Sequence, residues 1–552
     1  MFRFSAGVEM QNSPDATRSP SRLFATKRAP HPWQRGFIAF AILMLALWPL
    51  VSGCGGGGGS TVIPFPQPFN TPKGEGSLVS QTLVVTYPTA TVGGVPGLNT
   101  LYLQGICAGL STSQCAANQA NLNTPQFGNF NLAADPIGNN ALGIEGIDAV
   151  KIDYTAIGVD QSATTASGGV LIPKVAPASL KGLILYFHAT AVQRSAVPSS
   201  FTIVGGKTNL DNEGILLAAL WASQGYVVVM PDYLGLGDDR THPHPYVLYP
   251  SADAQSGLAM VSAARSVLAA SYGITGGLPL FITGYSEGGA YALQSERMMQ
   301  ENPLYGVALN MILKKAVPLS GAFDLAGTML PYLFDNVTVA HNDWFSLDPT
   351  ETGLVKPFLV AYLATAFASY SGISPTGILA GPFYNCAKAS VCVGSANLTD
   401  LYFNSTLANG DLVGAGDLIA LVAFNQAALT GYGTANNSIA RLLTPAYAAA
   451  LMSMDKTNPL FKQASEANTY QFVPSVPVTL TSLEMDSVVT RKNTDVAFAF
   501  FEKQNPKGPY KEELVANAAF TAQTLSGTGP VDHVTELPFM SVLILNEFNT
   551  TP

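Results

Sequence analysis

The stretch Pro279 to Ala290 reads Pro-Leu-Phe-Ile-Thr-Gly284-Tyr285-Ser286-Glu287-Gly288-Gly289-Ala290, and few folds accommodate it. A short apolar strand runs straight into Gly-x-Ser-x-Gly, and the helix-forming run Tyr291 to Met299 follows with no room for a loop. A turn this sharp pushes its serine into an exposed, strained position. Glycine is required on both sides because a Cβ there would strike the neighbouring strand or helix. The backbone N–H of Glu287 is then expected to face the place where an oxyanion would form beside Ser286. A strand feeding a helix in this way belongs in a parallel sheet covered by helices on both faces.

A nucleophilic serine needs a base, and the base needs an orienting acid. The strand–Gly-x-Ser-x-Gly–helix text resembles the nucleophile elbow of the α/β-hydrolases, and that resemblance implies partners in the order serine, acid, histidine. The chain holds six histidines, His31, His188, His242, His244, His341 and His533. The segment Pro477 to Val489 reads as a β-branched strand ending in Glu484-Met485-Asp486, followed by Ser487-Val488-Val489. Asp486 is the expected acid. Glu484, two residues earlier, faces the opposite way if the strand continues, and Asp324, at the end of an earlier predicted strand, is the rival. His533 alone lies downstream of Asp486, just before the apolar run Leu537 to Leu545, which reads as a last core helix or strand. The expected triad is therefore Ser286, Asp486 and His533. The second oxyanion donor is expected from the loop after the strand at Lys181 to Phe187, either Thr190 or Ala189, with Thr190 favoured. His188 reads as a brace for that loop.

The text Pro231-Asp232-Tyr233-x-Gly235-x-Gly237, then His244-Pro245-Tyr246, then Gly284-Tyr285-Ser286-Glu287-Gly288-Gly289 resembles bacterial secreted lipases and esterases, similar to the secretory lipase family within the α/β-hydrolases. The likeness spans roughly residues 148–325 and 471–540. It implies a mostly parallel, doubly wound α/β sheet with a helical cap, hydrolysis of carboxylic esters through an acyl-enzyme, and no cofactor. The chain departs from the pattern at Ala189, where glycine is usual. The alternatives are acyl transfer or peptide cleavage on the same site, or a silent surface protein that binds through the cleft. His242 and His244 stand two residues apart in a proline-rich loop with no cysteine or carboxylate at ligand spacing, which makes a poor zinc site. No metal is expected.

The alternation of strand and helix runs from 181 to 325, after antiparallel opening strands between about 77 and 175. Residues 90–147, rich in Gly and Asn, read as an extended loop. Residues 326–470 break the alternation and are helical and apolar, with Asp417 and Thr444 as helix caps. The expected organisation is a signal segment at 1–53, a Gly/Pro-rich tether at 54–76, a core at 77–325, a helical cap at 326–470 and the rest of the core at 471–552.

Arg35 precedes a 15-residue apolar run, Phe37 to Val51, that is short for a membrane span and ends in Val51-Ser52-Gly53-Cys54. Small residues before a cysteine at this place resemble a bacterial lipoprotein box, which implies a lipid on Cys54, attachment to a membrane and an exported cell-envelope protein; simple secretion is the alternative. The other four cysteines form two close pairs, Cys107 with Cys115 and Cys386 with Cys392, as expected for two local disulfides in an exported chain. A net charge of −9 leaves no basic surface for nucleic acid. The expected partners are an ester with an apolar acyl chain and, through the anchor, a membrane.

Overall fold

The computed structural model describes residues 74–334 and 443–551, apart from a few short stretches, with scattered positions between 356 and 377. The expected signal segment, most of the expected tether, Cys54, the Cys386 and Cys392 pair, the helix expected to be capped by Asp417 and much of 326–470 lie outside the described residues.

Among the described residues, nine strands form one sheet: β1 (Leu78–Tyr87), β2 (Ile147–Ile157), β3 (Ala163–Pro173), β4 (Gly182–Phe187), β5 (Tyr226–Pro231), β6 (Pro279–Tyr285), β7 (Ile312–Leu319), β8 (Val478–Leu483) and β9 (Tyr510–Val515). Their order across the sheet is β1-β2-β3-β5-β4-β6-β7-β8-β9. The pairings β1/β2, β2/β3 and β3/β5 are antiparallel, and every later pairing is parallel. The central strands are buried on both faces, which explains why they read as continuous apolar runs.

Side chains alternate between two cores. From β4, Leu183, Leu185 and Phe187 enter one core, while Ile184 and Tyr186 enter the other. Helices Pro250–Tyr272, Glu287–Glu301 and Lys492–Gln504 contribute to the first core, and Leu98–Cys107, Glu213–Leu220 and Leu537–Asn549 to the second. Helices on both faces of a mostly parallel sheet form the doubly wound α/β arrangement. A third apolar cluster joins Tyr246, Val247 and Val489 to residues of the insertion, among them Met329, Leu333, Leu359, Leu363, Tyr447 and Phe461.

One reading of the sequence is corrected. Residues 90–147 are not an extended loop, because they contain helices Leu98–Cys107 and Thr112–Leu122. The first buries Leu98, Leu101, Tyr102 and Ile106, a stripe with helical spacing. The second opens with a reciprocal capping box between Ser111 and Gln114. A disulfide between Cys107 and Cys115 staples the junction of the two. Thr444 caps the helix Pro445–Met452, its side chain accepting the Tyr447 N–H. Leu537 to Leu545 lies in a helix, not a strand.

Candidate active site

Ser286 lies between the end of β6 and the helix Glu287–Glu301, with φ +59° and ψ −118°. This conformation is costly for a residue with a side chain, and local bonds hold it: the Ser286 N–H donates to Leu319 O at 2.9 Å, and its carbonyl accepts from the Gly289 N–H at 3.0 Å. The flanking glycines are sterically obligatory. A Cβ on Gly284 would stand 2.2 Å from Gly288 O, and one on Gly288 would stand 2.1 Å from Phe187 O.

The structure brings Ser286, Asp486 and His533 together from segments up to 247 residues apart in the chain. His533 Nε2 is 2.8 Å from Ser286 Oγ, and His533 Nδ1 is 2.8 Å from Asp486 Oδ2. The other Asp486 oxygen accepts the N–H groups of Val488 and Val489, both at 2.8 Å, which fixes the carboxylate just past the end of β8. All three side chains are buried. Nδ1 must carry its proton to bond the carboxylate, so Nε2 is free to accept the serine proton. Glu484 is exposed and takes no part. Asp324 is occupied elsewhere: its carboxylate accepts from Gly327 N–H, Thr328 Oγ1 and Asn468 Nδ2, capping the turn that leads into the insertion.

The loop after β4 supplies Ala189 and Thr190. The Ala189 N–H already donates to the Glu213 carboxylate, at 3.2 and 3.3 Å, and the Tyr186 hydroxyl donates to the same group. Burial pushes the Glu213 carboxyl up to about 7, partly offset by these bonds. The folded protein therefore holds that proton more tightly than an unfolded chain, whose glutamate titrates near 4.5. The resulting stabilisation is complete below pH 4.5 and is lost as pH rises through about 7. The Glu213→Gln variant is expected to lose less stability than the wild type across that interval in urea unfolding at a series of pH values. Equal slopes would contradict the assignment.

His188 braces the loop, as expected: Nδ1 donates to Ala189 O at 2.6 Å, and the ring stacks on Tyr233 with centroids 4.0 Å apart. Burial holds its pKa down at about 4, so it stays neutral. His242 and His244 face different partners. His242 packs against Ser162, Asp239 and Thr241. His244 donates to Leu234 O at 2.8 Å and to Glu287 Oε1 at 2.6 Å. Burial opposes charge on His244, but the adjoining Glu287 carboxylate outweighs it and holds the ring above its ordinary value. The Tyr291 hydroxyl donates to the same Glu287 oxygen at 2.7 Å. The residue whose amide adjoins Ser286 is thus anchored by a buried ion pair.

Reading the sequence missed three further parts. Glu213 and the His244–Glu287 pair are two. The third is Asn517, whose side chain bonds both Met485 backbone groups beside the acid and donates to Val531 O beside the base, at 2.8 to 2.9 Å. It ties the loop of Asp486 to the loop of His533. Nothing in one sequence marks that asparagine.

A small cavity opens at Ser286. Apart from Ser286 and Glu287, its walls are Tyr246 and aliphatic side chains, including Leu325, Met329, Leu359 and Val489. The insertion also touches the loops on either side of the serine: the Tyr362 hydroxyl donates to Ala191 O at 3.0 Å, and the Tyr332 hydroxyl to Ser487 O.

Solved structures resemble the chain over most of its length. A candidate hydrolase from Legionella pneumophila superposes with a TM-score of 0.55 at 21% identity, covering 86% of this chain and 98% of its own. The rice cell wall degrading esterase LipA from Xanthomonas oryzae gives 0.57 at 20%, with the same coverages. The fold is that of the α/β-hydrolases. Candida antarctica lipase A, in its closed state, is a more distant likeness, with a TM-score of 0.45 at 13% identity. No family model and no curated protein matches the sequence.

Proposed function

We propose that the protein is a serine hydrolase of carboxylic esters that works through an acyl-enzyme. The observation that carries this reading is the continuous relay from Asp486 through His533 to Ser286, each link 2.8 Å long, on a strained turn. Ser286 attacks the ester carbonyl while His533 Nε2 takes its proton. Asp486 holds the imidazole in the productive tautomer and stabilises the imidazolium. The tetrahedral oxyanion is received by the Glu287 N–H and by the Thr190 N–H, the Ala189 N–H being engaged by Glu213. His533 then protonates the departing alkoxide, and a water activated by the same ring releases the acid.

The aliphatic walls favour an apolar acyl group beside Ser286, because they offer few polar partners to a hydrophilic substituent. Rates on p-nitrophenyl esters of graded acyl length test this. The reading expects kcat/KM to rise from acetate to medium chains, by up to about 3-fold for each methylene that the pocket buries. A flat or falling series would contradict an apolar acyl site.

A further inference from the structure

Glu287 places two opposed groups on one residue. Its backbone N–H is the oxyanion donor of the proposed reaction, and its side chain is a wholly buried carboxylate. Covalent geometry keeps the carboxylate carbon within about 5 Å of the amide nitrogen. A negative charge so near, in a site poor in water, opposes the anion that the amide has to receive. The reaction therefore needs a group that cancels it.

Among the described residues, the ion partner of Glu287 is His244, at 2.6 Å and also wholly buried. Both ring nitrogens of His244 face acceptors, Leu234 O at 2.8 Å and Glu287 Oε1 at 2.6 Å. A neutral imidazole carries one N–H, so a second proton lies between the ring and the carboxylate, and the pair is neutral as a unit. The Tyr291 hydroxyl donates to the same Oε1 at 2.7 Å. The other groups facing His244 add no positive charge. The Tyr233 ring stacks on it at 5.6 Å, and the rings of Tyr246 and Tyr362 lie 6.2 and 5.8 Å away. His188, which also stacks on Tyr233, stays neutral. Asp253, its carboxyl pushed up to about 7 by burial, accepts the Leu234 N–H at 2.9 Å and so reaches the ring through that peptide.

We propose that His244 is a positioning residue for the oxyanion hole: it cancels the charge of the Glu287 carboxylate beside the forming oxyanion and, through the same bond, fixes the Glu287 amide. This rests on the serine hydrolase reading above. The effect falls on kcat rather than KM, because the ester is uncharged when it binds and negative charge develops only as the tetrahedral species forms.

The test compares His244→Gln with His244→Gln/Glu287→Gln on p-nitrophenyl esters, with rates expressed per site that a fluorophosphonate labels at completion. Ser286→Ala is run first; if hydrolysis survives it, the underlying reading fails rather than this one. Where Ser286 is required, His244→Gln strips the cation but keeps an N–H donor on the side chain. It is expected to lose at least ~10-fold in kcat, with KM within about 2-fold of the wild type. The double variant removes the carboxylate charge as well and is expected to regain at least ~5-fold over His244→Gln. An unchanged kcat in His244→Gln overturns the proposal, and so does a double variant as slow as the single one, which is the result a packing role for His244 would give. Should His244→Gln fail to fold around its unpaired buried charge, Tyr291→Phe decides, since it takes one donor from the same oxygen and keeps the ring. Its kcat is expected to fall about 3-fold at constant KM, and an unchanged kcat there overturns the proposal.

Discussion

Replacing Ser286 with alanine is expected to lower kcat on p-nitrophenyl esters by roughly 10⁴- to 10⁶-fold while leaving the fold intact. The size follows from the site's wiring. Asp486 and His533 act only through the serine oxygen, so removing that oxygen silences all three at once. The change itself is small. Ser286 Oγ bonds only the His533 ring among the side-chain contacts described, and the backbone bonds to Leu319 and Gly289 are independent of it. Some strain remains, since alanine at φ +59° is no better suited than serine. Circular dichroism and the urea midpoint should therefore stay near those of the wild type. A folded Ser286→Ala protein with wild-type rates would remove the chemistry from this serine.

The second large effect concerns folding. Gly288→Ala is expected to cost about 3 kcal/mol or more, and to leave little folded protein if the parent is of ordinary stability. The new Cβ would stand 2.1 Å from Phe187 O, 2.4 Å from Phe187 C and 2.6 Å from His188 O. All three are backbone atoms at the end of β4, so no side chain can swing aside. Relief requires the helix behind Ser286 to move away from the sheet, and that movement would also displace the Glu287 amide. Gly276→Ala is the matched control, because a Cβ there meets nothing within 4 Å and φ is not in the left-handed region. Its urea midpoint should change by no more than about 0.5 kcal/mol equivalent. Equal stability of the two variants would show that the tight turn is not as drawn.

Ser286 was legible because its requirements are local: two glycines, a strand before and a helix after fit within about a dozen residues. Asp486 and His533 could be named only through the order rule, and the rule left Asp324 as a rival. Asp324 ends a strand as Asp486 does, but its carboxylate is spent on Gly327, Thr328 and Asn468, a network that involves a residue 144 positions away. Glu213, the His244–Glu287 pair and Asn517 escaped notice for the same reason. Each is a buried polar group whose partner is remote in sequence, and no periodicity or spacing announces it. The helices at 98–107 and 112–122 are a different kind of miss. The stripe Leu98, Leu101, Tyr102, Ile106 and the Ser111–Gln114 capping box were present in the text, but the Gly/Asn-rich surroundings drew the reading toward a loop. The doubly wound sheet itself was readable from the buried runs at Gly182–Phe187, Tyr226–Pro231 and Pro279–Tyr285.

The central claim is that one side chain in this chain is an activated nucleophile and that a single imidazole activates it. Treating the intact protein with a fluorophosphonate and mapping the adduct by mass spectrometry tests it without a guess at the natural substrate. The account predicts one adduct, on Ser286, that is lost in His533→Ala and kept in Asp324→Ala. An adduct on another residue, or labelling of Ser286 at an undiminished rate in folded His533→Ala, would contradict it.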